Sequence, residues 1–283
     1  MRKKSALLHL AFVVYTFTAS AQTNDINLLV RADDIGITHA TNLACIDVYK
    51  NGIARSVEVI VPSPWFTEAV KMLNDNPGYD VGVHLCLTSE WTNIKWRPLT
   101  HAKTLTDTNG YFFPFIWPND KFPKGSFLKE QNIDLKEAEA ELRAQIEMAK
   151  KHIKNLSHLS AHMGCSHTLP EITEIVNKLS KEYQLPIEVN TTAKFPFEGG
   201  KKSKKEKEEA LVKALDNLQP GNYMLVTHPC LNHTEMESVS HPGYETVGQD
   251  READWYMLTS PKAKSVIKKK NIKLVNYRDL SKQ

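Results

Sequence analysis

The chain has 283 residues, 41% of them hydrophobic and 24% charged, so it can form one large core or at most two domains. Its 36 basic and 33 acidic residues give a formal net charge of +3, which does not indicate a nucleic-acid-binding protein. Beyond the N-terminal segment no stretch reaches the ~18 apolar residues that a membrane-spanning helix needs, so stable membrane insertion is not expected.

The N-terminus, MRKKSALLHLAFVVYTFTASAQTN, has the pattern of a secretory signal peptide. Three basic residues precede an apolar run from Ala6 to about Phe17, and a small-residue triplet, ASA, follows and ends at Ala21. This order predicts a signal peptide at 1–21 and a mature domain at 22–283. The alternative is a buried N-terminal helix. The mature protein is therefore expected to be periplasmic or secreted.

The cysteines show no close spacing of the kind found in zinc knuckles or disulfide frameworks. There are four: Cys45, Cys86, Cys165 and Cys230. Most are expected to be single buried thiols. One disulfide is the alternative, since an exported protein can be oxidised.

Strand-like and helix-like runs alternate along the mature chain. Strands are predicted at 26–32, 54–62, 80–88, 157–161, 187–191, 222–227 and 272–277. Helices are predicted at 41–51, 65–74, 135–153, 171–183, within 199–215 and from Ser260 onward. This alternation predicts a parallel α/β fold, and about seven strands in one domain favour an irregular, TIM-like (β/α) barrel.

Residues 89–133 interrupt the alternation. This segment holds Trp91, Trp96 and Trp117, together with an aromatic run and several prolines and glycines. A loop of this length is usually functional or an insertion. We therefore predict a lid or a wall of the substrate site here.

Acidic or imidazole groups stand where four predicted strands end. They are the adjacent Asp33 and Asp34, then His84, His162 and His228. The carboxyl ends of barrel strands meet on one face, so these groups should lie together. Neighbouring buried carboxylates repel, which a bound cation or a catalytic acid/base pair would explain. An Asp and two His supply three ligands for a divalent metal and leave a position open for water.

The same set, in the same order, resembles the motifs of the YdjC-like carbohydrate deacetylase family, which includes chitooligosaccharide deacetylases. The resemblance runs from about residue 27 to residue 279. Its motifs are ADDIG at 32–36, GVHLCL at 82–87, SHLSAH at 157–162, HP at 228–229 and READWYMLTSP at 251–261.

The resemblance implies an irregular TIM-like barrel that holds one divalent ion, zinc or magnesium, through Asp34, His84 and His162. Asp33 would be the general base. His228 would be the acid or would stabilise the charge that develops on the tetrahedral intermediate. The implied reaction is hydrolysis of an N-acetyl group from an amino sugar or oligosaccharide, in which a metal-activated water attacks the amide carbonyl and acetate is released. Two histidines favour zinc modestly.

The chain departs from the family pattern at two positions. Ser160 stands where the family commonly has Asp, and Ala161 replaces its Ser. If that Asp orients a ligand histidine, metal affinity is expected to be weaker here. This departure supports an alternative, a glycan-binding protein on the same barrel that has lost turnover. A glycosidase fits less well, because it needs two carboxylates roughly 5–10 Å apart across a sugar bond.

Aromatic residues beyond His84 suit an N-acetylated sugar as the binding partner. Trp91 and Trp96 could cover the apolar face of a pyranose, and Arg97 could contact its polar groups. The alternative is that both tryptophans fix the long loop to the barrel. The oligomeric state is left open, with a homodimer as one candidate.

Overall fold

The computed structural model describes residues 24–167, 169–187, 192–200 and 202–281. The predicted signal peptide lies outside the described residues, and so does most of the strand predicted at 187–191. The assignment of residues 1–21 therefore stays a prediction.

One parallel sheet forms the centre of the molecule. Its strands are β1 (Ile26–Ile35), β2 (Ser56–Val59), β3 (Asp80–Leu85), β4 (Leu156–Ala161), β5 (Ala193–Lys194), β6 (Gly221–Thr227) and β7 (Lys273–Val275). The order is β4-β3-β2-β1-β6-β5, and β7 pairs with β1. Every pairing among these strands is parallel, as the alternation of elements predicts.

Helices follow the strands and cover the sheet. They are α1 (His39–Lys50), α2 (Phe66–Asn74), α3 (Leu135–His152), α4 (Pro170–Tyr183), α5 (Lys204–Asn217), α6 (Val247–Thr259), α7 (Pro261–Lys269) and α8 (Tyr277–Leu280). Ser260 caps α7 through its hydroxyl, with Pro261 at the first helical position, as predicted. None of these helices, in the part of the chain that the structure describes, is long and apolar enough to cross a membrane.

The predicted α/β class with a parallel sheet is confirmed. β1 lies in the middle, and its apolar residues Leu28, Leu29 and Val30 are fully buried, as expected for a strand covered on both faces. A parallel bridge between Leu159 and Ile187 adds a contact beyond β4, at the edge where a barrel would close. Closure of the sheet into a complete barrel stays a prediction.

Several elements differ from the sequence prediction, among them β5, which lies at Ala193–Lys194 beyond the strand predicted at 187–191. The last strand is Lys273–Val275 rather than 272–277, because Asn276 and Asp279 form a capping box that starts α8. The READWYMLT segment, predicted only as a motif, is most of α6.

The segment 89–133 is irregular but well packed. Two short 3-10 turns, Lys103–Leu105 and Leu128–Glu130, are its only helical pieces among the described residues. Two carboxylates of α3 hold its backbone. Glu141 accepts from the amides of Leu99 and Thr100, and Glu137 accepts from that of Thr104 at 2.7 Å. These hydrogen bonds fix the segment against α3.

The four cysteines are buried free thiols. The predicted single-thiol state is confirmed.

Candidate metal centre and active site

Asp34, His84 and His162 come together at the carboxyl ends of β1, β3 and β4. One possible ligand atom from each lies within 4.8 Å of the other two. Asp34 Oδ1 is 3.7 Å from His84 Nε2 and 3.4 Å from His162 Nδ1. All three side chains are buried. The structure thus brings together the three residues that the resemblance implies as ligands.

The surroundings of Asp34 fit a cation. Its φ of 74° is in the left-handed region, which is uncommon for a residue with a Cβ and often marks a functional site. Both carboxylate oxygens are buried, and neither makes a hydrogen bond within the described residues. Arg251 Nη2 lies 2.9 Å from Oδ2 as an ion pair without hydrogen-bond geometry. One carboxylate and two imidazoles are a donor set that suits a divalent ion such as zinc.

The charges at this centre oppose the effects of burial. Burial alone would raise the pKa of Asp34, but Arg251, followed by His162 and His228, holds it well below its usual range. Burial would lower the pKa of His162, but Glu90, Cys86 and Asp34 hold it well above the usual value. An imidazolium cannot ligate a metal, so binding of an ion at His162 would release a proton.

Glu90 supports His162 from the side away from Asp34. Its Oε2 lies 3.1 Å from His162 Nε2, while His162 Nδ1 faces Asp34. A carboxylate on the outer nitrogen of a ligand histidine fixes the ring and its tautomer. From the sequence Glu90 is a candidate for contact with the substrate; in the structure it contacts His162.

Asp33 lies beside the three-residue cluster and is held by Arg31. The guanidinium donates from Nε at 2.7 Å and from Nη2 at 2.8 Å to the two carboxylate oxygens. Asp33 Oδ2 is 3.6 Å from His84 Nε2. Burial raises the pKa of Asp33 to about 7 against the opposing charge of Arg31, with Glu58 adding to the rise. Asp33 can therefore exchange a proton near neutral pH.

His84 and His228 are less basic than an exposed histidine. Burial, and then the charge of His162, lowers the pKa of His84 well below its usual value. Burial also lowers the pKa of His228, although Asp34 opposes it. His228 follows β6, is half-buried, and donates its backbone N–H to Asp254 Oδ2 at 3.1 Å. Both imidazoles are therefore neutral at pH 7.

The two predicted sugar-stacking tryptophans are both 2% exposed. Trp91 stacks on His241 with ring centroids 5.6 Å apart, and the Arg251 guanidinium lies 5.0 Å from its ring. Trp96 lies edge-on to His162 and donates from Nε1 to the carbonyl of Thr88 at 2.9 Å. These contacts favour the alternative in which both rings fix the loop.

Arg97 lies farther out, with its guanidinium 4.6 Å from the centroid of the Tyr111 ring. A role for Arg97 or for the tryptophans in substrate binding stays a prediction.

A cavity of about 610 Å³ opens beside the cluster under the 89–133 segment. Glu90 and Trp91 line its inner end, and Lys95, Asp107 and Phe122 line its wall. The mixture of charged, polar and aromatic side chains fits a polar ligand with an apolar face. The predicted substrate wall is thus adjacent to a space that can hold one.

Comparison with protein families places the chain. A family model described as YdjC-like protein matches residues 27–269. The chain belongs to the YdjC-like family. Two curated relatives are named carbohydrate deacetylase. The one from Thermus thermophilus is 30% identical over 85% of this chain and 89% of its own length. The one from Vibrio vulnificus strain YJ016 is 27% identical over 89% of this chain and 96% of its own length.

A solved structure supports the fold of this YdjC-like protein. A crystal structure from Enterococcus faecalis V583, whose name assigns it to cellobiose-phosphate cleavage, superposes with a TM-score of 0.71 at 23% identity. The match covers 90% of this chain and 99% of the other. At this identity the likeness concerns the fold alone.

Sequence reasoning missed Arg251 and Glu58 as residues of the site. Arg251 opens the READWYMLTSP segment, and no local pattern in that segment indicates that this charge faces the strand ends. Glu58 is a fully buried carboxylate inside β2. A charged residue within an otherwise apolar strand is a signal that could have identified it.

Proposed function

We propose that this YdjC-like protein is a metal-dependent deacetylase that removes an N-acetyl group from an amino sugar or oligosaccharide and releases acetate. The convergence of Asp34, His84 and His162 beside the ionisable Asp33 carries this proposal. The names of the curated relatives support a carbohydrate as the substrate class. Zinc and magnesium are both candidates, and the two imidazoles favour zinc.

A divalent ion held by these three residues would polarise the acetyl carbonyl and lower the pKa of a water molecule. Asp33, as the general base, would accept a proton from the water that attacks the carbonyl carbon. Arg31 keeps the Asp33 carboxylate in one orientation through two hydrogen bonds. A pKa of about 7 lets Asp33 return the proton to the amine nitrogen as the C–N bond breaks. The products are acetate and a free amine.

Two further side chains stabilise negative charge on the acyl oxygen. His228 is neutral at pH 7, so it acts as a hydrogen-bond donor rather than as a charged acid, the second of its two predicted roles. Arg251 has a buried Nη1 that makes no hydrogen bond within the described residues, so it has a donor to offer. Donors aimed at developing charge commonly contribute 10²–10³-fold to a rate, about 3–4 kcal/mol.

Metal content and acetate release, measured on the same preparations, test the proposal. The wild type should release acetate from N-acetylated glycans and lose this activity with a chelator. Asp34→Ala and His84→Ala should not retain metal, whereas Asp33→Asn should retain it and lose ~10²–10⁴-fold in rate. Equal metal content in all variants would contradict the ligand assignment. Glycan binding without metal-sensitive acetate release would favour the alternative, a binding protein.

We also propose that the enzyme acts outside the cytoplasm, because of the N-terminal pattern at 1–21. N-terminal sequencing of protein recovered from the periplasm or medium should begin at Gln22. Recovery of the full chain from the cytoplasm would contradict this.

A further inference from the structure

A series of buried, hydrogen-bonded polar side chains extends from His84 on the side away from Asp34. His84 Nδ1 lies 2.8 Å from Ser160 Oγ on the neighbouring strand β4. The Ser160 hydroxyl makes a short hydrogen bond to Glu58 Oε2 on β2. The other oxygen, Glu58 Oε1, lies 2.8 Å from His158 Nε2. Glu58 and His158 are fully buried, and His84 and Ser160 are each 2% exposed.

The order of hydrogen-bond donors along this series determines which nitrogen of His84 carries the proton. An ionised carboxylate can only accept, so Ser160 donates its one proton to Glu58. The Ser160 oxygen is then left with lone pairs and accepts from His84 Nδ1. His84 therefore carries its proton on Nδ1, and the lone pair of Nε2 points towards Asp33 and Asp34, 3.6 and 3.7 Å away. That lone pair is what a metal ion needs.

The ionised state of Glu58 has its own support. The imidazole of His158 faces one of its oxygens, and burial of an unpaired carboxylate would be costly. Burial alone would raise the pKa of Glu58, but His158, followed by Arg31, lowers it to about 2.

We propose that Glu58, acting through the Ser160 hydroxyl, is a positioning residue that sets the tautomer and orientation of His84 for the metal. The inference rests on the proposed function for the identity of the ion. It also bears on the departure from the family pattern at Ser160. Position 160 carries no carboxylate here, but Glu58 on β2 supplies one from the other side of β3. We call His84, Ser160 and Glu58 the relay.

Gly82 leaves the space that the relay occupies. It lies in β3 two residues before His84 and is paired with Glu58 on one side and His158 on the other. A Cβ built on Gly82 would overlap Glu58 Oε2 and His158 Nε2. The glycine of the GVH motif is thus required by the contact between these two side chains.

Two serines that contact Glu58 allow a matched comparison, which distinguishes the positioning of His84 from a purely structural role. Ser56 and Ser160 are both buried, and both hydroxyls contact the Glu58 carboxylate, Ser56 at 3.4 Å. Only Ser160 also contacts His84. Ser160→Ala and Ser56→Ala each remove one buried hydroxyl, but only the first breaks the relay.

The first readout is the tautomer of His84 in the metal-free full-length protein, from ¹H–¹⁵N correlation of the histidine ring nitrogens. The signals of His84 are assigned with His84→Gln. The wild type and Ser56→Ala should show a protonated Nδ1. Ser160→Ala should show a mixture of both tautomers. An unchanged tautomer in Ser160→Ala, or the same change in Ser56→Ala, would overturn the proposal.

The second readout is affinity for Zn²⁺, titrated against a chromophoric chelator. Ser160→Ala and Glu58→Gln should each bind ~10–100-fold more weakly, and Ser56→Ala should match the wild type. Equal losses in the two serine variants would overturn the relay. If Glu58→Gln does not fold, the serine pair decides. A wild type that binds neither Zn²⁺ nor Mg²⁺ overturns the proposed function, whereas the tautomer measurement needs no metal and still tests the relay.

Discussion

Asp33→Asn should change how stability depends on pH in the metal-free protein. The pKa of Asp33 is raised from 3.8 to about 7 in the folded chain, chiefly by burial. Between these values the folded state holds a proton that the unfolded state has released. The wild type therefore loses stability as pH rises through this window, and asparagine, which does not titrate, removes that loss.

The expected size follows from the shift. Each pH unit in the window corresponds to about 1.4 kcal/mol of unfolding free energy, and the rise from 3.8 to about 7 gives about 4 kcal/mol in all. Other groups titrate nearby: the lowered pKa of His84 makes stability rise with pH over part of this range. The difference between wild type and variant cancels the contributions of distant groups, and reports Asp33 together with its effect on the neighbouring His84.

Urea unfolding in the presence of a chelator, at several pH values from about 4.5 to 8, measures this difference. The unfolding free energy of Asp33→Asn, relative to that of the wild type, should rise by about 1.4 kcal/mol per pH unit up to pH ~7. Above that pH the difference should be constant. Parallel profiles for the two proteins would show that Asp33 is ionised throughout. In that case the pKa of Asp33 would lie below this window, and Asp33 would be a weaker base for the attacking water.

Three further outcomes are expected. Arg31→Lys should shift the rising limb of the pH–rate profile to higher pH. Lys keeps the charge but not the two-point contact that helps to lower the pKa of Asp33. An unshifted limb would contradict the role of Arg31. Arg251→Lys should keep the metal, as shown by metal analysis, and lose ~10²-fold or more in kcat; wild-type kcat would exclude Arg251 from charge stabilisation. Gly82→Ala should both lower Tm and weaken Zn²⁺ binding, because the alanine methyl group would overlap Glu58 and His158. An unchanged Tm would mean that the strands can shift to accommodate the methyl group.

The regular part of the fold could be predicted because each element carries its own pattern. The helix predicted at 41–51 is observed at His39–Lys50, and the strand predicted at 80–88 is observed at Asp80–Leu85. The helix α6 was missed because its buried and exposed residues do not form a clear apolar stripe. Arg251 is one of the buried residues of this helix. Its burial depends on the ion pair with Asp34 of β1, which no local sequence pattern reveals.

The candidate ligands could be predicted because the carboxyl ends of parallel strands share one edge. The contacts behind them could not, because they depend on strand order. Glu58 and Ser160 are separated by 102 residues and meet only because β3, with Gly82 facing them, lies between β2 and β4. The tryptophans near His84 were proposed as sugar platforms for their residue type, but their exposure is decided by how segment 89–133 packs.

The ion pair between Arg251 and Asp34 gives the protein a built-in counterion. Its guanidinium neutralises the buried carboxylate when no metal does, so we expect the fold to persist without a bound ion. We therefore expect that a chelator would remove a bound ion without unfolding the protein, unlike small domains that fold only around their zinc. Under the proposed function, the cation bound in a cell would then be determined by supply and by exchange at the folded protein, and not by which ion was present while the chain folded.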